Sequence, residues 1–570
     1  MLVAQGSILL ATAVIATEAL GTNSSANHIF NAIHSSMRQW GSSLNHNGMS
    51  FFVSTVPAGT EFYHGTTSPT RINGTQWLAF EPEHALIFAR PHGRPPPKDD
   101  EPRAPPFDNP NDEGYDVPPQ PILWHGHPIL PWQRIHPPRR PAPPPQQPIA
   151  PSPASPADQQ QQPLLAPPPS HPDRPDRAGP GPGYLHTYHT LHALHLLYLD
   201  GQSAAKSTLG TLDTQDLILR PLLPSPSASP SPSPSSGPMD EAHRAADLCA
   251  LASTIWQGKI DGFLRMEGGF EVILCDFEKH LRVEKISKVL TRTWGEQGIG
   301  YYRAVARRYD GIGGGRVRVD YEGMVSAFGV EGAVGWDGKG RVRVGGDEGV
   351  RGEVGRRVGE MVMQRAQGKG EGEGAGEGMG KGVDWQAVVD MVVGRYGGRI
   401  ESWTSGKART FEGLKGEIMG MLRPFVDADH RDGGKEVKRC ARQFWPATVE
   451  REAKDLGTAA KAVKEVSHVV CQELYNAGTA KTYRQAIEIL QALRQWLSWT
   501  TWKRCRGCSV DEICFLPIWP VGSEQDFEQP QCLDEVPMDE KHNGYWGRPG
   551  PPPGKDRPKP PGSPEERRRG

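Results

Sequence analysis

Thirty-one of the 55 prolines of this 570-residue chain fall between Pro91 and Pro182. Proline fixes its own φ and donates no backbone hydrogen bond, so a stretch this dense cannot build a sheet ladder or a helix interior. It contains PAPPPQQP and a glutamine run near Gln159. Residues 91–183 therefore read as an extended, disordered insertion. A Ser/Pro linker follows at 221–238. A stretch at 311–382, where about one residue in three is glycine, reads as a flexible insertion, and 547–570 as a disordered tail.

What remains has the pattern of a folded protein. Residues 26–90 and 184–220 carry short strand-like runs, FFVSTVPAG, EFYHGT, WLAF, LHLLYLDG and DLIL, punctuated by Pro and Gly. They are expected to be two pieces of one mixed module, because a surface loop tolerates a long insertion at small entropic cost. Residues 239–310 and 383–546 read as mainly helical. In 450–475, Leu456, Ala460, Val463, Ser467, Val470 and Leu474 recur at steps of three or four. Gly478 and Thr479 read as a stop and a new N-cap. The next helix carries Ile487, Leu490, Leu493 and Leu497 on one face, with Trp496, Trp499 and Trp502 as a core or lid stripe. The expected class is α+β: a small N-terminal mixed α/β module interrupted by the Pro-rich insertion, then a mainly α-helical, cysteine-containing C-terminal domain.

Residues 1–19 are uncharged up to Ala16, with a short apolar core closed by small residues. This fits a signal peptide and is too short for a membrane span. Sequons follow at Asn23 and Asn73, so the expected product is a secreted glycoprotein. Eight cysteines, all beyond residue 248, fit disulfides in that compartment. For Cys505, Cys508, Cys514 and Cys532 a four-thiolate zinc site is the alternative. No apolar run reaches the roughly 20 residues that cross a bilayer. The balance of 64 basic and 66 acidic residues excludes a strong electrostatic case for nucleic acid.

The sharpest motif is Phe62-Tyr63-His64-Gly65-Thr66, followed by Trp77-Leu78-Ala79-Phe80 and then Glu81-Pro82-Glu83-His84-Ala85-Leu86-Ile87-Phe88-Ala89. It resembles the ADP-ribosyltransferase fold of the poly-ADP-ribose polymerase and toxin kind. The resemblance implies NAD as cofactor. His64 and Gly65 would clamp it, and Trp77 and Phe88 would take the two stacking positions, where those enzymes usually carry tyrosine. Asp216, beside Gln215 in Thr214-Gln215-Asp216-Leu217-Ile218-Leu219, would stabilise the oxocarbenium-like centre. The implied activity is NAD-dependent transfer or NAD glycohydrolysis, with His64 and Asp216 catalytic. His64 as a satisfied core histidine, with Gly65 as a turn glycine, is the alternative at those positions.

LLYLDGQSAAKSTLGTLDTQD, EVILCDFEKHL and LSWTTWKRCRGCSVDEICFLPIWPVGS also make the chain similar to uncharacterised secreted proteins of filamentous fungi. Asp200, Ser203 and Lys206 are expected either to form a turn or to line a cleft at a strand end. His186, His189, His192 and His195 recur every third residue, a spacing that focuses no more than a pair on one ion. The competing functional class is a non-enzymatic, disulfide-bonded interaction or cell-wall protein with a protein or wall partner.

Overall fold

The computed structural model describes residues 25–89, 182–224, 240–289, 301–305, 315–366, 382–449, 456–518 and 521–534. The expected signal peptide, Asn23, nearly all of the Pro-rich insertion and of the Ser/Pro linker, and the tail lie outside these residues.

Nine strands form one sheet. They are β1 (Ser50–Val56), β2 (Glu61–Thr66), β3 (Gln76–Ala79), β4 (Gly183–Thr190), β5 (Leu194–Leu199), β6 (Gly262–Met266), β7 (Phe270–Leu274), β8 (Leu281–Val289) and β9 (Arg318–Ser326). Their order is β8-β4-β2-β3-β7-β6-β5-β1-β9. All neighbours are antiparallel except β5 and β6, which run parallel with Leu196 opposite Gly262. The chain on the two sides of the Pro-rich stretch meets in this sheet, since β2 pairs with β4 through Phe62 and Tyr188. The two pieces at 26–90 and 184–220 thus share one scaffold, as their strand patterns imply.

Side chains alternate along a strand, so each strand feeds two cores. On one face Phe52, Leu196, Tyr198 and Leu264 pack beneath α1 (Ala26–Ser35) and a helical group. On the other, Phe51, Val53, Leu197 and Phe263 form the second core. β5 is buried at every position, which is why its sequence is apolar on both faces save His195 and shows no alternation. Three short helices sit among these strands: α2 (Gln39–Leu44), α3 (Pro82–Leu86) and, beyond β7, α5 (Phe277–His280). The second core is covered by α4 (Glu241–Thr254) and α6 (Glu348–Arg365).

The C-terminal region is mainly helical: α7 (Trp385–Thr404), α8 (Phe411–Leu422), α9 (Gly433–Ala441), α10 (Thr458–Thr479) and α11 (Tyr483–Leu497), with a short α12 (Glu524–Glu528). Ala460, Val463, Ser467, Val470 and Leu474 of α10 are all buried. α11 starts later than Gly478-Thr479 predicts, because Thr482 supplies the N-cap oxygen to the Gln485 amide. Trp496 and Trp499 are core residues, and Trp499 stacks on Phe30 of α1 at 5.9 Å. Asn27 and Asn31 of α1 donate to the Trp496 and Leu497 carbonyls at 2.7 and 2.9 Å. These bonds satisfy two carbonyls at a helix end that has no further turn to accept them.

Three expectations change. The segment read as helical from 239 opens with α4 and then contributes β6, β7 and β8 to the sheet. The 311–382 stretch is not wholly a flexible insertion. It supplies β9, the hairpin strands β10 (Val334–Trp336) and β11 (Val342–Val344), and α6. Glycine masked a helical stripe, Val354, Val358, Met361 and Val362, that is buried in the second core. Gly355 belongs there because a Cβ would lie 2.8 Å from Leu222. The densest glycine run, 367–381, lies outside the described residues. Finally, Thr214–Leu219 is a π-helical turn and not a strand. An apolar run this short fits either, and here it packs against α4 and α6.

All eight cysteines are paired: Cys249–Cys275, Cys440–Cys471, Cys505–Cys514 and Cys508–Cys532. The last two cross-link the hairpin of β12 (Ile513–Phe515) and β13 (Gln531–Leu533), and leave no thiolate for zinc there. Cys249–Cys275 fastens α4 to the end of β7 across 26 residues. Replacing both by serine should lower unfolding free energy by about 3 kcal/mol, read from denaturant unfolding of the intact chain. An unchanged midpoint would show that this cross-link restrains nothing.

Candidate functional site

Arginine, lysine and glutamate are almost never fully buried unless paired. Arg265 lies in the middle of β6, whose every residue is buried. Period-two alternation turns it to the face of Phe263, and the antiparallel register sets it opposite Glu271 of β7. Its guanidinium donates to Glu271 Oε1 at 2.5 Å, to Gln215 Oε1 at 2.6 Å and to Glu241 of α4. Glu241 also accepts from Arg244 at 2.8 Å, and Arg244 grips Asp216 through two bonds of 2.8 and 2.9 Å. Arg220 extends the chain from Asp216 to Asp247. At the other end Lys206 Nζ donates to Glu267 Oε2 at 3.0 Å, both side chains being 0% exposed.

A bonded chain thus joins the π-helical turn, α4, β6 and β7, and the Lys206–Glu267 ion pair from the loop after β5 and the β6–β7 turn lies within its electrostatic reach. The buried carboxyls are pushed in opposite directions. Arg265, Lys206 and Arg244 outweigh the burial of Glu241 and hold its carboxyl at about 2. Burial pushes the Glu267 carboxyl up, and Glu271 and Glu241 add to the shift against the pull of Lys206. Such a split within one site is how an enzyme keeps an acid and a base together at one pH. Several polar atoms have no hydrogen-bond partner: Glu267 Oε1, Glu271 Oε2, Arg265 Nε and the hydroxyl of buried Tyr301. Tyr301 stands over the β6–β7 turn, where a methyl on Gly268 would fall 2.0 Å from its hydroxyl, and its ring packs on His84 at 5.4 Å.

The residues named from the sequence are divided by the sheet. His64 is on the first-core face, among the rings of His186 and Phe277 at 6.2 and 5.9 Å. Its Nδ1 lies 2.7 Å from the Trp77 carbonyl, and burial pushes the imidazole down to about 4. β2 and β3 pair only at Tyr63 and Ala79, so the ring meets a carbonyl that the ladder leaves open. The Trp77 side chain is on the opposite face, in the second core. Gly65 is required because a Cβ would sit 1.8 Å from the Ala85 carbonyl oxygen of α3. Half-buried Phe88 packs between the two cores. Asp216 belongs to the charged network, at its outer end. His64, Trp77 and Asp216 therefore do not surround one opening. A cleft beside the motif, about 510 Å³, is lined by Glu61, Tyr63, Phe80, Glu81 and Arg316 instead.

Of Asp200, Ser203 and Lys206, only Lys206 sends its side chain into the network. Asp200 accepts from the Ser50 amide at 2.8 Å, and Ser203 donates to the Leu199 carbonyl. His186, His189 and His192 have different partners: the Ser68 carbonyl, Glu61 and His280. Among the described residues, three metal-ligating atoms converge only at Cys505, Cys508 and Cys532, whose sulfurs are in disulfides. Asn73 is exposed ahead of β3, and no described helix is long and apolar enough to cross a membrane.

The sequence reading missed Arg265, Glu267, Glu271, Glu241 and Arg244. The available signal was DGFLRMEGGFEVILCDF, where Arg265 and Glu271 stand inside two apolar runs on either side of a Glu-Gly-Gly turn, as a hairpin pair would.

A family model described as the YPL277C N-terminal domain, a fungal-type family, matches residues 19–120 and 170–297. That is about two fifths of the chain, and the chain is similar to that family over this span. Every member of the charged network from Lys206 to Glu271 falls inside it, while Tyr301 lies just beyond. No curated protein and no solved structure matches the chain. Nothing in these comparisons supports the ADP-ribosyltransferase resemblance.

Two measurements probe the network. Arg265→Met should cost about 3–5 kcal/mol, because it leaves buried carboxylates uncompensated. The second is acid sensitivity. Glu241 titrates lower when folded than its ordinary 4.5, so its contribution is full above 4.5 and is lost as pH falls towards about 2. Unfolding midpoints of the wild type should fall across that window, and Glu241→Gln should flatten the fall.

Proposed function

We propose that this chain is an exported, disulfide-stabilised enzyme whose centre is the buried network around Lys206, Glu267 and Glu271, and whose chemistry is proton transfer. The observation that carries this reading is the convergence of three basic and three acidic side chains from separate segments, with two carboxylate oxygens and a tyrosine hydroxyl left unpartnered. Burying ion pairs is costly, and packed apolar residues of the same volume are often as stable or more so. Local departures from good packing chemistry concentrate at working sites. Glu267 carries the proton, Lys206 orients it, and Glu241 stays ionised between Arg265 and Arg244. Four disulfides and the expected leader support export. NAD chemistry at His64 would need Trp77 and Asp216 beside it; the sheet between His64 and Trp77 favours the charged network as the centre.

A structural network and a working one respond oppositely to Glu267→Gln. Glu267 has a raised carboxyl in the folded state, so the fold bears a cost that grows as pH rises above 4.5. Lys206 keeps the Glu271 charge nearby after the substitution. Glu267→Gln should therefore stabilise the protein by about 1 kcal/mol at neutral pH, raising the melting temperature. A lowered melting temperature would mean that Glu267 is there to hold the fold, and the enzyme reading would fall. As a separate check, wild type incubated with NAD should release no nicotinamide. Release that is lost in His64→Ala would reinstate the NAD alternative.

A further inference from the structure

Four of the eight cysteines lie together at the β12–β13 hairpin, and their pairing is one of at least two that the backbone there can hold. Cys505 is bonded to Cys514, and Cys508 to Cys532. The Sγ atoms of Cys505, Cys508 and Cys532 belong to two different disulfides, yet all lie within 4.8 Å of one another. Cys505 and Cys508 are the ends of a four-residue turn in which Gly507 has a φ of +80°. Cys514 and Cys532 stand directly opposite in the antiparallel ladder. Opposite residues of such a ladder have Cα atoms about 4.5–5.5 Å apart and side chains on one side, a separation that a disulfide bridges. The second pairing, Cys505–Cys508 with Cys514–Cys532, therefore needs no rearrangement of the strands. All four cysteines are half-buried, whereas Cys440 and Cys471 are 0% and 1% exposed.

We propose that these four cysteines form a thiol-exchange site, which a low-molecular-weight thiol of the glutathione kind converts between the two pairings. The incoming thiolate attacks Cys514 Sγ. A mixed disulfide forms there, and the electron pair of the broken bond leaves on Cys505. That thiolate forms beside Arg504 and Arg506, whose exposed charges make it a good leaving group. Cys505 then attacks Cys508 Sγ, and the electron pair of the Cys508–Cys532 bond leaves on Cys532. Cys532 attacks Cys514 across the ladder and expels the small thiolate. Three sulfur–sulfur bonds form and three break, so nothing is oxidised or reduced and the thiol is returned. The exchange changes what the hairpin is tied to. The present pairing fastens it to the segment just after Trp502, whose indole donates to the Gly397 carbonyl of α7 at 2.9 Å. The second pairing closes the turn and the hairpin each on itself. The hairpin, with Tyr302 stacked on Phe515 at 5.1 Å, then loses its covalent tie to that segment.

The test holds the intact chain with reduced glutathione at about pH 8, where thiols are partly ionised, and then blocks free thiols with N-ethylmaleimide. Cleavage after Arg506, Glu512 and Glu524 separates the four cysteines, so mass spectrometry of the non-reduced peptides reads the pairing. About a tenth of the chains or more should carry Cys505–Cys508 and Cys514–Cys532 within about an hour, with Cys440–Cys471 unchanged. Persistence of the present pairing alone, or appearance only of Cys505–Cys532 with Cys508–Cys514, would overturn the proposal. So would exchange of Cys440–Cys471 at the same rate, which marks general unfolding. Cys514→Ser supplies the Cys505 thiolate with no added thiol. Its free thiol should be found on both Cys505 and Cys532; a thiol confined to Cys505 would show that the second disulfide is out of reach, and the proposal would fall.

Discussion

One guanidinium in the interior of the sheet ties the chain's polar interior together. Arg265 has no route to water from the middle of β6, so each of its bonds must be made inside the protein. Glu271 reaches it from the next strand, Glu241 from α4 and Gln215 from the π-helical turn. Those partners come from segments 24 and 50 residues away, so the second core can form only if α4 and the turn dock in one position. An apolar side chain at 265 would tolerate sliding of α4 over the sheet; a charged one does not.

The first face of the sheet is organised differently. Its core is mostly apolar, and its long-range order comes from α1, whose Asn27 and Asn31 cap the end of α11 far along the chain. The N-terminal and C-terminal regions therefore share a core, even though low-complexity sequence separates their parts. The two faces divide the labour: one gives most of the hydrophobic burial, the other holds the buried charged groups whose carboxyls a dry surround and their neighbours push in opposite directions.

Much of this was legible in residue patterns. β5 reads as a buried strand from LHLLYL, α10 from its stripe of Val463, Val470 and Leu474, and the pairing of the cysteines from their even count. The site was half legible. Lys206, Gln215 and Asp216 attract attention because they cluster within DGQSAAKSTLGTLDTQD, yet the partners that define their role lie in RMEGGFE and EAHRAAD. His64-Gly65-Thr66 looked catalytic, but the histidine bonds a carbonyl that a short ladder leaves free, and the glycine admits the backbone of α3. Glycine content misled at Glu348–Arg365, because a helix tolerates Gly355 where Leu222 presses close.

By itself the sequence determined what depends on local pattern: the α+β class, the strands on both sides of the Pro-rich stretch and the long amphipathic helices. Periodicity and backbone restrictions act over a few residues, so they are written where they act. Only the tertiary structure decided which charges are buried together, and on which face. That outcome depends on sheet order and on the register of Arg265 against Glu271, and a one-residue slip would turn either side chain to the opposite core.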